Sequence, residues 1–162
     1  MTREEKTWQE RWDEQGFKPK DGLSPYYDLK GYLDKELLLK DLSSRLPYDV
    51  KIAYHSWDSE RGEHIVPMKL YSLNTDGYMR LLGNVDEGGG QVEITKYLPY
   101  LRPMSSMTEE ERTKKNELFG SYILDNNPAY IDWLNAHHFD YRGLIEKGLA
   151  LEAKEGMYER KR

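Results

Sequence analysis

Five side chains with chemical potential crowd one short stretch: His137, His138, Asp140, Tyr141 and Arg142. They offer a base, an acid to orient it and a cation to clamp an anion. Such a set suits a small hydrolase centred on His138, Asp140 and Arg142. With Tyr141 and Arg142 turned to a ligand, it suits a factor that sequesters a small anionic signalling molecule. The structural alternative is simpler. The two histidines close a helix at its partially negative end, and Asp140 ties to Arg142 across the turn. Adjacent histidines point to different sides of a helix end, and no H-x-x-x-H or H-E-x-x-H spacing brings in another ligand. The expectation is a mainly structural turn that binds no metal.

Other candidate chemistry is sparser. His55 and His64 could meet across a hairpin, but no third ligand stands in register, and exposed strand histidines account for both. Gly88-Gly89-Gly90 lacks the Gly-Lys-Ser/Thr ending of a phosphate loop and precedes a strand, so it reads as a loop tip. No G-x-S-x-G is present. The chain has no Cys, which excludes disulfides, thiol chemistry and Cys-ligated zinc. No cofactor and no catalytic residue are assigned.

Aromatic side chains are the richer signal. Thirteen Tyr and four Trp suit half-buried positions and interfaces, since one end of each ring system is wet. Trp8 and Trp12 lie four apart on a charged helix over residues 3–15. They either pack on the core or dock a partner or a second copy. Residues 17–31 hold Pro19, Gly22, Pro25 and Gly31 and read as connector, so residues 1–33 form an arm and residues 34–162 a single domain.

The elements that position these residues follow from periodicity. Asp34 caps a helix to Arg45 with Leu37, Leu38, Leu42 and Leu46 as its buried stripe. Pro47 stops it, and the period changes to two: strands fall at 50–55, 63–73, 78–82 and 91–95. Pro67 cannot donate to a ladder, so its strand is an edge or is bulged there. Thr108 and Glu111 form a capping box for a helix to about Leu124, with Glu110–Lys114 and Glu111–Lys115 pairs. Asn127 caps the next helix, with Pro128 at its first position and Tyr130, Trp133, Leu134 and His137 on one face. Gly143 and Gly148 reverse the chain after it.

Composition bounds the rest. Apolar residues make up 38% and charged residues 33%, enough for one modest core. No run approaches a membrane span, the N-terminus lacks a secretory apolar region, and a net charge of −5 argues against nucleic acid. A cytoplasmic setting is expected.

The blocks YLPYLRPMSSMTEEE (97–111) and WLNAHHFDYRGLIEKGLALEA (133–153) resemble an uncharacterised family of small proteins of gut Bacteroidetes and their phages or other mobile elements. LLLKDLSSRLPYDVKI (37–52) is similar to the same family's opening. The likeness covers most of residues 33–158. It implies a cytosolic protein in a prokaryotic or phage setting and brings no activity, cofactor or catalytic residue with it.

The sequence thus points to an α+β fold, with a small curved antiparallel sheet of about four strands and helices packed against it. The leading functional reading is a non-catalytic binding or accessory protein that acts on an unidentified protein partner through Tyr/Trp-rich surfaces, with a homo-oligomer as a separate option. The candidate contact residues are Trp8, Trp12, His138, Asp140, Tyr141 and Arg142.

Overall fold

Alternation along residues 51–82 builds a sheet, and the side chains of one face build the core. In the computed structural model, which describes residues 25–82, 91–120 and 127–159, strands β1 (Lys51–Asp58), β2 (Gly62–Leu73), β3 (Tyr78–Leu82) and β4 (Val92–Glu93) form an antiparallel meander in that order. The sheet is curled, and the fold is α+β with helices packed against it. The expected helix over 3–15 with Trp8 and Trp12, the Gly88–Gly90 tip and the end of the 108–124 helix lie outside the described residues.

Contacts divide the chain into Met1–Leu37 and Leu38–Arg162. In the first unit the described part belongs to helix α1 (Pro25–Arg45). This helix starts nine residues before the expected cap at Asp34, so residues 25–31 are helical and not connector. Proline suits a first helical position, because its missing N–H needs no partner there. Gly31 inside the helix costs about 1 kcal/mol against Ala, which a long helix tolerates.

The second unit holds the sheet and its cover. Leu38 and Leu42 of α1 are fully buried, as are Val50, Ile52 and Met79 of the sheet region, with Met68 and Leu70 nearly so. A second cluster joins Met107, Leu134 and Phe139, with Trp133 and Tyr130 packed against it. Helix α2 (Glu109–Gly120) starts with the expected capping box: Thr108 N donates to Glu111 Oε1 and Glu111 N to Thr108 Oγ1. Helix α3 (Pro128–Ala136) is capped by Asn127, whose side chain accepts from Tyr130 N. Among the described residues the expected pairs within α2 are replaced by Lys114–Glu117 and by Arg102, which donates to Glu111.

Two features did not follow from periodicity. Residues 97–101 run beside β1: Ala53 N donates to Leu98 O, and Ile52 bridges Pro99. Beyond them, β5 (Tyr100–Leu101) pairs in parallel with β6 (Leu151–Glu152). These are two-residue ladders, too short to carry a periodic signature.

Pro67 sits within β2 opposite Ala53. Leu70 N donates to Val50 O, so in this register Ala53–Pro67 is a non-hydrogen-bonded pair. The Pro67 nitrogen therefore points away from β1. Pairing with β3 begins only at Lys69, so among the described residues no ladder bond is asked of Pro67.

Candidate functional site

The stretch from His137 to Arg142 assembles, but in a different way from the one its residue types suggest. Helix α3 ends at Ala136, and His137 Nδ1 lies 2.8 Å from Trp133 O. His138 then takes φ 63°, in the left-handed region, and the chain turns inward. Its carbonyl accepts from Arg102 N at 2.7 Å, and Asp140 N returns a bond to Arg102 O at 2.8 Å. The Phe139 side chain is thereby driven into the core, with the Arg102 guanidinium 4.2 Å from its ring centre.

The polar residues of this turn face separate partners. Asp140 accepts from Leu144 N (2.8 Å) and Ile145 N (2.9 Å), which closes the turn through Gly143 at φ 72°. The expected Asp140–Arg142 tie is not formed, because both carboxylate oxygens go to backbone donors. Arg142 Nε instead lies 3.2 Å from Asp41 Oδ1 on α1, an ion pair without hydrogen-bond alignment. Tyr141 Oη accepts from Arg142 Nη2 and donates to Asn135 Oδ1. The His138 ring stacks on Tyr158 at 3.6 Å between centres, with its Nδ1 buried and unpartnered. Burial, then the Arg45 charge, holds its pKa down at about 3. A base so weak takes up few protons at neutral pH.

Beneath this turn lies a buried ion cluster. Arg45 and Asp41 are both fully buried; Arg45 Nε donates to Asp41 Oδ2 at 2.8 Å, and Nη2 donates to Phe139 O at 2.7 Å. Arg45 Cζ lies 5.2 Å and Arg142 Cζ 5.0 Å from the centre of the Tyr141 ring. Leu38, Asp41, Leu42 and Arg45 fall at i, i+3, i+4 and i+7, one helical face. That spacing was the available signal for a buried acid–base pair, and the apolar stripe alone concealed it.

Tyr158 fastens the C-terminal segment. Its hydroxyl accepts from Lys51 N at 2.8 Å and donates to Tyr100 O at 2.7 Å, and burial raises its pKa. An open cleft of about 560 Å³ runs beside it, lined by Arg102, Thr108, Glu111 and Lys154 among others. Its strongest charges satisfy each other: Glu111 receives two bonds from Arg102, which hold its pKa down at about 2.

The outer face of the sheet differs in kind. His55 and Trp57 of β1 and Glu63, Ile65, Pro67, Lys69 and Tyr71 of β2 are odd-numbered and exposed on the face opposite the core, whereas Ala53 of the same set is buried. Trp57 is 71% exposed, Tyr71 59%, and Ile65, Leu82 and Tyr78 are exposed beside them. Trp57 stands opposite Glu63, His55 opposite Ile65, and Lys69 links to Leu82. His55 and His64 therefore lie on opposite faces and do not meet. Tyr71 owes its prominence to a bulge, where Tyr71 and Ser72 together oppose Arg80. Asp58 shapes the hairpin tip by accepting from Glu60 N and Arg61 N, and the Arg61 backbone bond leads in lowering its pKa. Sequence reading gave tyrosines and tryptophans but not this face, because which aromatic residues point outward depends on the register and the bulge.

The chain matches no protein-family profile, no curated protein and no solved structure.

Proposed function

We propose that this chain is a non-catalytic accessory protein that binds a protein partner through the outer face of its sheet, in the phage or mobile-element setting implied by the resemblance of residues 97–111 and 133–153. One observation carries the reading: Trp57, Ile65, Tyr71, Tyr78 and Leu82 share one exposed face. Soluble monomers rarely expose contiguous apolar patches beyond a few hundred Å² unless the patch has an occupant. Aromatic residues ringed by charge are the usual anchors of such surfaces. The enzyme and small-anion readings lose support, since His138, Asp140 and Arg142 have separate structural partners.

The test is site-specific photo-crosslinking in the native host. A photoreactive residue replacing Tyr71 should yield a discrete crosslinked polypeptide. The same residue at Lys147, on the turn that follows Gly143, should yield none. Crosslinks from Lys147 with none from Tyr71 would refute the assignment of this face.

A further inference from the structure

We infer that residues Lys154–Glu159 form a detachable strap, latched through Tyr158, whose departure lets β1 and β5 close into one continuous sheet. The device is independent of the role proposed for the outer face.

The Tyr158 hydroxyl stands where a ladder bond belongs. Ile52 bridges Pro99 in antiparallel sense, so Lys51 falls opposite Tyr100. Ala53 N donates to Leu98 O, and hydrogen-bonded pairs recur at every second residue of an antiparallel ladder. By register, Lys51 and Tyr100 are therefore a hydrogen-bonded pair. Yet Lys51 N donates at 2.8 Å to Tyr158 Oη, which donates at 2.7 Å to Tyr100 O. The donor and acceptor directions of a hydroxyl diverge, so the two backbone atoms are held beyond direct bonding reach. The hydroxyl is a wedge in the seam between the four-stranded sheet and the β5–β6 pair.

The segment that carries this wedge is held at few points. Ala153 N still donates to Leu101 O, but residues 154–159 form neither strand nor helix. Their internal bonds run from Met157 N to Lys154 O and from Glu159 N to Gly156 O, around Gly156 at φ 77°. Among the described residues, the polar bonds from this segment to the rest of the chain end at two places. One is Tyr158 Oη, and the other is Met157 O, which accepts from Lys51 Nζ at 2.6 Å. The Tyr158 ring stacks on His138 and has Lys51 Nζ 5.5 Å from its centre. Lys154, Glu155, Gly156 and Glu159 are exposed, and the segment lines an open cleft.

Opening therefore breaks all of these contacts together. It strands neither backbone group under the wedge, because Lys51 N can then donate straight to Tyr100 O. The sheet would run β4-β3-β2-β1-β5-β6 without interruption. A partner that grips the free strap binds only the open state and so shifts the balance toward the closed seam.

Native-state hydrogen exchange and NMR of the full chain test this. Relative to their intrinsic rates, the Met157 and Glu159 amides should exchange together, at least about tenfold faster than Lys51, which trades one bond for another. In Tyr158→Ala a through-hydrogen-bond scalar coupling should appear between Lys51 N and the Tyr100 carbonyl carbon, and the wild type should show none. Lys51 should keep its protection in that variant. Circular dichroism melts show whether the variant is folded; if it is not, Tyr158→Phe, which keeps the ring and loses the hydroxyl, replaces it. A Lys51 amide that exchanges together with Met157 and Glu159 overturns the closure. So does a Tyr158→Ala protein without the coupling, in which Lys51 loses about tenfold or more of its protection. Met157 and Glu159 amides that exchange only with the whole fold overturn the strap.

Discussion

Arg45→Ala is expected to lower the free energy of unfolding by about 3–5 kcal/mol, the scale of an opened buried ion pair. Arg45 and Asp41 are entirely out of water, and the Arg45 guanidinium also satisfies the Phe139 carbonyl. Without Arg45, Asp41 keeps, among the described residues, only the imperfectly aligned Arg142, and Phe139 O loses its Arg45 donor. The large value reflects stranded partners and not the net worth of the pair. Replacing both members with apolar residues, Asp41→Leu with Arg45→Met, should therefore recover much of the loss. Urea unfolding of the three proteins measures this. An Arg45→Ala cost below about 1 kcal/mol would show that the cluster is hydrated and that α1 is not locked to the Phe139 turn in this way.

Acid should destabilise the fold well before carboxylates titrate, and His138 should be a main cause. Its pKa is held at about 3, against an ordinary 6.5, first by burial and then by the Arg45 charge. Above pH 6.5 the imidazole is neutral in both states, and its contribution is fully present. As pH falls below 6.5 the unfolded chain takes up a proton that the fold refuses, so stability declines. The decline ends below about pH 3, where both states are protonated. Over that whole window the loss is on the order of 5 kcal/mol, of which about 2 kcal/mol falls by pH 5. Glu111, held at about 2 by Arg102 against an ordinary 4.5, adds a further loss mainly below pH 4.5. His138→Asn separates the two. Asparagine tolerates the left-handed backbone found at φ 63° and does not titrate. Its melting temperature should vary less between about pH 7 and about pH 5 than that of the wild type. Parallel profiles for the two proteins would mean that His138 titrates freely in the fold.

Much of the architecture was written in local pattern. The Thr108–Glu111 box, the Asn127–Pro128 start and the strand from Tyr78 to Leu82 all stand where residue types placed them, because each rests on neighbours in sequence. The failures share a cause. Asp140 turned to Leu144 N and Ile145 N, and Arg142 reached Asp41 about a hundred residues away in the chain. Spacing within residues 137–142 holds no trace of either partner. The outer face was hidden similarly: Tyr71 is prominent through a bulge, and Pro67 is tolerated through the phase of β1–β2 hydrogen bonds. Both are properties of paired strands, which no single strand's residues announce.

The central claim is that the sheet's outer face, and not the turn at His138, carries the function. Its most direct test compares two folded variants for retention of whatever the wild type binds in the native host. Ile65→Glu should lose the bound protein, a foreign polypeptide or a second copy, by about thirtyfold in affinity. His138→Asn should keep it. Loss of binding in His138→Asn with full retention in Ile65→Glu would contradict the account and return the function to the turn.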